Sequence, residues 1–350
     1  MKWNGISETY YENGVLRQEI SYKEGLRDGY TKEYFPDGSI SEKIFFKDNL
    51  IEGVTTSYFE NGILKSKLNY VKNKLHGKSF HYFKSGNINE EIDYADGKIE
   101  GEYKIYYEDE IIKEIILYKN NKRLGIAKQF KKCGDLISET PYDDDFINGE
   151  LKYFYPDGEL KSVVSYKEGI KDGPTKIFYK SGSIKENKNH IKNRVEGKVF
   201  TYYKSGTLKG EWNYSNGKPH GESKFYYEEG IILGIKNFNE GKDFGPTKVY
   251  YKNGNLKEEV EFISEYKKRS VKKYDSEGNL IKSSESNNAK DEIKKIVQQT
   301  KRQNRITNDK MDFKGIEKAL NILTKELLVK IGIAILIIII IYSSLIYFIG

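Results

Sequence analysis

Glycine returns every 24 residues through most of this chain, at Gly5, Gly29, Gly53, Gly77, Gly101, Gly125, Gly149, Gly173, Gly197, Gly221 and Gly245. No insertion breaks the register, and Arg269 begins a twelfth, degenerate unit. A strict period of this length means one small motif stacked on copies of itself, each touching only its neighbours. That constraint comes before any division of the 350 residues into ordinary domains.

Each unit is numbered from its glycine. Position six is then aromatic throughout: Tyr10, Tyr34, Tyr58, Tyr82, Tyr106, Phe130, Phe154, Phe178, Tyr202, Tyr226, Tyr250 and Tyr274. Position twelve is always Leu or Ile, from Leu16 and Ile40 to Leu256 and Leu280. Position ten is glycine at Gly14, Gly38, Gly62, Gly86, Gly134, Gly158, Gly182, Gly206, Gly230 and Gly254, with Glu110 the exception.

Asn13-Gly14, Asp37-Gly38, Asn61-Gly62, Asp157-Gly158 and Asn253-Gly254 separate two strand-like runs. Such pairs supply the positive φ angles of a two-residue primed turn, so each unit reads as a β-hairpin. A second turn near position 21, as at Gly25, Asn49, Asn73, Gly97 and Asn121, leads to the next hairpin. Short connections predict antiparallel neighbours throughout. The expected fold is all-β, an elongated antiparallel hairpin solenoid of about twelve units, roughly 115 Å long at 4.8 Å per strand.

A two-residue turn at positions nine and ten sets position seven opposite twelve, three opposite sixteen and one opposite eighteen. Alternation of side chains puts these on one face. Position seven (Tyr11, Phe35, Phe59), sixteen (Ile20, Ile44, Leu68) and eighteen (Tyr22, Phe46, Tyr70) are aromatic or apolar, so this is the predicted core face. The other face carries position six between positions four and thirteen. Its candidate binding residues are Tyr34, Tyr58, Tyr82, Tyr106, Tyr202, Tyr226 and Tyr250, with Lys104, Lys152, Lys176, Lys224 and Lys248. Lysines beside tyrosine rings permit cation–π contacts of about 0.5–1 kcal/mol each. The plainer reading is a solvated face whose lysine stems shield the rings.

The net charge of +7 is unevenly placed. From Ile281 to Lys330 there are 12 Lys/Arg against 7 Asp/Glu, leaving 47 against 45 for the rest. A nearly neutral body disfavours nucleic acid, and the basic stretch favours an anionic leaflet. Beyond it, Ile331 to Ile349 (IGIAILIIIIIYSSLIYFI) carries no charge and spans about 28 Å as a helix, the reach of a hydrocarbon core. Three segments are expected: a repeat domain over 1–282, a helical stalk over 283–328 and a transmembrane anchor over 329–350. Lys325 and Lys330 predict a cytoplasmic body. Met1 to Tyr10 has no apolar run, so no signal peptide is expected. In the stalk, Phe313, Ile316, Leu320, Leu323 and Leu327 form a short seam that would support dimerisation only weakly, interrupted near Gly315.

The recurring YYENG-x-L or YYKSG-x-L hairpin, followed by LHG, LIEG or PHG, resembles MORN repeats over about Gly5 to Leu280. It is similar in particular to the longer bacterial variant of YwqK-like antitoxins. The resemblance implies a β-hairpin solenoid and a role in protein or lipid contact. It implies little about a specific partner, because one repeat scaffold serves many functions.

Residues for chemistry are sparse. Cys133 is the only cysteine, which excludes an intrachain disulfide and a cysteine-rich zinc site. His76 and His220 lie six units apart, about 58 Å along such a sheet, and cannot share a metal. His190 replaces a core aromatic. Asp143, Asp144 and Asp145 lack calcium-loop spacing. No catalytic, cofactor-binding or metal-binding residue is expected, and no enzyme. The leading expectation is a membrane-anchored, non-catalytic scaffold for a cytoplasmic protein partner. The alternatives are an anionic-lipid or membrane-bridging module and an antitoxin-like inhibitor of a toxin protein.

Overall fold

The computed structural model describes residues 3–264 and 267–285. Apart from 283–285, which complete the strand Leu280–Glu285, the expected stalk and anchor lie outside the described residues. Among the described residues no helix is long and apolar enough to cross a membrane. The chain divides into two compact units, Met1–Leu256 and Lys257–Gly350.

In the first unit successive long strands pair antiparallel, and where a short segment such as Leu50–Ile51 precedes Gly53–Tyr58, both pair with Ile40–Lys47. Gly5–Tyr10 pairs with Leu16–Lys23, which pairs with Leu26–Tyr34, and so on to Pro246–Tyr250. The result is an open hairpin-repeat meander, as the period predicts. In the second, Lys267–Tyr274 lies between Leu256–Ser264 and Leu280–Glu285, with Val260 opposite Val271 and Lys272 opposite Ser283.

The first turn differs from the expected one. The Tyr11 amide donates to the Val15 carbonyl (2.8 Å) and the Gly14 amide to the Tyr11 carbonyl (2.9 Å), so three residues form the loop. Gly14 has φ +81°, while Asn13 does not enter the positive region. This is a type I turn closed by a left-handed glycine. The Asx residue at position nine has a different task from the one predicted. Asn13 Oδ1 accepts from the Val15 amide (3.1 Å) and Asp37 Oδ1 from the Ser39 amide (2.9 Å), bracing the turn from within. The two-residue primed turn sits instead at positions 20 and 21, where Asp48 (φ 49°) and Asn49 (φ 67°) are both left-handed.

An extra loop residue would shift the whole pairing by one, yet Ser7 still faces Ile20 and Gly5 still faces Tyr22. A bulge restores the register. Thr9 pairs with Gln18 but Tyr10 pairs with Leu16, so Arg17 is the inserted residue. The same shift recurs at Tyr34–Ile40, Tyr58–Leu64 and Tyr202–Leu208. Position twelve therefore faces position six, on the side away from the core, and the expected seven–twelve pairing fails.

Among the described residues, all sixteen buried side chains occupy positions three, fourteen, sixteen or eighteen. Examples are Leu151 and Val199 at three, Ile92 and Ile116 at sixteen, and Phe46 and Phe238 at eighteen. The core face is the predicted one, extended by position fourteen. Small residues dominate position three (Thr31, Thr55, Ser79, Ala127, Ser223), directly opposite the larger residues of position sixteen.

Candidate binding face

On the face opposite the core, several lysines pair with carboxylates of the protein. Position four faces position fifteen on both neighbouring strands, as Lys104 faces Ile115 and Glu91, and Lys152 faces Val163 and Glu139. Lys32 pairs with Glu19 at 3.0 Å, Lys104 with Glu102 at 2.7 Å and Lys224 with Glu222 at 3.3 Å. Hydrogen bonds to these carboxylates hold the three ammonium groups above the usual lysine range. Lys176 faces Val163 and Asn187, and Lys248 faces Ile235.

The position-six rings Tyr34, Tyr58, Tyr82, Tyr106, Tyr202, Tyr226 and Tyr250 are half-buried on this side. Two of them turn to carboxylates: Tyr34 donates to Glu19 (3.4 Å) and Tyr106 to Glu91 (3.2 Å). Burial, then the Glu91 charge, raises the Tyr106 phenol above its ordinary value.

The expected cation–π contacts form on the other face and with a different ring. The bulge turns position thirteen over position seven. Arg17 lies over Tyr11 (5.9 Å), Lys113 over Tyr107 (5.9 Å), Lys161 over Tyr155 (5.9 Å), Lys185 over Tyr179 (5.8 Å) and Lys209 over Tyr203 (5.5 Å). A bulged residue and its successor both project to the side of the residue they oppose, here position five. Position thirteen thus leaves the position-six face, against expectation.

These position-seven tyrosines also join the repeats. Their hydroxyls donate to the position-six carbonyl of the following unit: Tyr11 to Tyr34 (2.6 Å), Tyr107 to Phe130 (3.0 Å), Tyr155 to Phe178 (2.9 Å), Tyr179 to Tyr202 (2.7 Å), Tyr203 to Tyr226 (2.8 Å) and Tyr227 to Tyr250 (2.9 Å). A second join runs along the primed turns. Asn49 Oδ1 accepts from the Arg27 amide (2.7 Å), while the Asn49 amide donates to the Arg27 carbonyl (2.9 Å). Asn73 with Ile51 and Asn121 with Ile99 repeat the arrangement.

The strip formed by positions five, seven and thirteen is interrupted by a groove of about 360 Å³ near the end of the first unit. Tyr179, Tyr203, Trp212, Phe225, Tyr226 and Leu233 contribute to its wall, with Lys185 and Lys209 beside them. Trp212 meets Phe225 edge to face, 4.8 Å between centroids at 88°. The groove was not foreseen. Its signal is legible in retrospect at position fourteen, which is Glu, Gln or Ser in the first eight units but glycine at Gly210 and Gly234.

Elsewhere on the core face, burial and then the neighbouring Glu33 charge raise the Glu42 carboxyl. His190 is buried, with its Nδ1 3.0 Å from Thr175 Oγ1, and burial followed by Lys188 and Lys171 lowers its imidazole. Asp144 and Asp145 pair with Lys122 and Arg123. Among the described residues, no three His, Cys, Asp or Glu side chains form a group that could hold a metal ion.

A family model described as MORN repeat variant matches residues 3–24, 27–48, 51–72, 75–96, 99–120, 147–168, 195–216, 219–240 and 245–264. Strand pairing continues through the intervals it passes over, as in Leu136–Asp143 and Ile184–Ile191. No curated protein matches the chain. Among solved structures, the chain is similar to the crystal structure of TcdB2-TccC3, at 13% identity and TM-score 0.17, covering 82% of this chain and 18% of that one. It is also similar to the Tc holotoxin pore of Photorhabdus luminescens with a TccC3 substitution, at 12% identity and TM-score 0.17, covering 81% and 18%. The chain therefore spans under a fifth of the length of these structures.

Proposed function

We propose a scaffold role for this chain, which belongs to the MORN repeat variant family: a non-catalytic repeat sheet that binds a protein partner through the strip of positions five, seven and thirteen. The observation that carries this reading is the contrast between the two faces. On one, Lys32, Lys104 and Lys224 are matched by carboxylates on the protein itself, while Lys152 and Lys176, with no ion pair among the described residues, lie outside the apolar groove. On the other, Lys161, Lys185 and Lys209 lie over tyrosine rings beside an apolar groove, and among the described residues no carboxylate pairs with them. Charges already compensated within the molecule offer little to a partner; uncompensated ones next to apolar surface offer both steering and burial.

The apolar run Ile331 to Ile349 supports a membrane-anchored form of this scaffold, with the sheet on the cytoplasmic side. Full-length protein solubilised in mild detergent should retain a stoichiometric protein partner on affinity purification. Recovery of none would count heavily against the reading. Resistance of the protein to alkaline extraction from membranes tests the anchor separately.

An anionic-lipid role draws support from the basic stretch between Ile281 and Lys330 rather than from the paired charges of the position-four face. The antitoxin-like role rests on the resemblance alone, and rescue from a neighbouring toxic gene is its test.

A further inference from the structure

The groove lies where two units depart from the repeat. Gly210 and Gly234 are buried at position fourteen, and neither has a positive φ, so no turn requires glycine there. A Cβ on Gly210 would come within 3.0 Å of Thr201 Oγ1 and 3.2 Å of Trp212 Nε1, and one on Gly234 within 2.9 Å of the Lys248 carbonyl oxygen. Gly210 lets the Trp212 ring lie close over the backbone, where it meets Phe225 edge to face.

Around it, the surfaces are of two kinds. The hydroxyls of Tyr179 and Tyr203 are committed to the carbonyls of Tyr202 and Tyr226, so these residues present ring surface to an occupant. The carboxylate of Glu186 is held by Lys188 at 2.7 Å. That leaves Lys185 and Lys209 as uncompensated cations over rings, with Lys161 in the same place one unit earlier. The next residue in this row after Lys209 is Leu233, in the groove wall. Read along the sheet, the row is cation, cation, cation, apolar.

Equivalent positions in successive units are two strands apart, about 9.6 Å. An extended chain in the left-handed three-residue helix rises about 9.3 Å per turn and brings every third side chain back to one side. The two repeats match.

We infer that this groove and its lysine row dock an extended acidic peptide, with carboxylates at every third residue and a bulky apolar side chain at the next third. The inference rests on the scaffold reading and narrows its partner to a linear segment of that chemistry. The apolar side chain enters the groove against Trp212, Phe225 and Leu233, and the carboxylates meet Lys209, Lys185 and Lys161 in turn.

The test uses the full chain in detergent micelles and a labelled synthetic peptide with glutamates three apart, ending in phenylalanine at the next third. A permuted peptide of the same composition, with glutamates two apart, is the control. The registered peptide should bind more tightly than the permuted one. Its affinity should fall about fivefold to tenfold in the Lys185→Glu/Lys209→Glu double variant, whose exposed changes cost no more than the two cation–π contacts and leave the chain folded by urea titration. Gly210→Glu, restoring the usual residue, should weaken it too. Equal affinity for both peptides, indifference to the double variant, or binding confined to phosphatidylserine vesicles would each overturn the inference. So would a second copy of the chain covering the groove in sedimentation experiments. A captured protein partner that survives Lys185→Glu/Lys209→Glu defeats the groove while leaving the scaffold reading intact.

Discussion

The hydroxyl of Tyr155 donates to the carbonyl of Phe178, 2.9 Å away and 23 residues further along the chain. The same bond recurs from Tyr11, Tyr107, Tyr179, Tyr203 and Tyr227, and it explains a preference that apolarity alone does not: position seven favours tyrosine over phenylalanine where the bond forms. The ring packs under the bulged lysine and the hydroxyl satisfies a carbonyl near the turn of the next hairpin.

Tyr155→Phe should therefore cost about 0.5–1.5 kcal/mol, the usual net worth of one such bond, because the Phe178 carbonyl loses its partner while the ring stays. Urea unfolding of the variant measures it. An unchanged midpoint would mean that water replaces the hydroxyl at no cost.

Most of the architecture was legible in the sequence because a strict period makes each unit testify for the others. The all-β hairpin repeat and the core face of positions three, sixteen and eighteen follow from alternation alone. The face of positions twelve and thirteen did not. Asn13-Gly14 suits a two-residue primed turn and a three-residue turn equally well, and the choice depends on whether a bulge at Arg17 can restore the pairing of Ser7 with Ile20. A bulge leaves no mark in apolar alternation, so alternation alone puts the position-thirteen lysines on the wrong side. The groove was missed because Gly210 and Gly234 read as ordinary variation within the repeat.

The face assignment predicts an asymmetry between two leucines. Leu151, 5% exposed at position three, should cost about 2–5 kcal/mol as alanine. Leu117, 41% exposed on the other face, should cost about 0.5 kcal/mol or less. Thermal or urea midpoints of the two variants check it, and equal losses would contradict the one-sided core.

Glu110 occupies the position-ten slot with φ 63°, where the other first-unit repeats have glycine. A left-handed conformation costs a residue with a Cβ roughly 1–2 kcal/mol, so Glu110→Gly should stabilise the protein, by about 1 kcal/mol. Gly158→Ala, at φ +85°, should destabilise it by a similar amount. Denaturation midpoints moving in the same direction for both would argue against the turn geometry.

His190 gives the stability a pH dependence of known sign. Its folded pKa lies below the unfolded value near 6.5, so the neutral imidazole's contribution is complete above that pH. As pH falls from about 6.5 toward the folded pKa, the unfolded chain takes up the proton first and stability declines. Glu42 acts in the opposite sense: its raised folded pKa makes the native state gain stability as pH falls through that value toward the unfolded one. His190→Phe, which installs the aromatic found at this position in other units, should flatten the decline just below pH 6.5. Stability profiles of the two proteins that stay parallel in that window would contradict this.

The central claim is that binding belongs to the bulged strip and groove instead of the paired-charge face. Partner capture by the full chain, compared between Lys185→Glu/Lys209→Glu and Lys104→Glu/Lys224→Glu, tests it most directly. The account predicts that the first pair of changes releases the protein partner and the second retains it. Release by the second with retention by the first would contradict it.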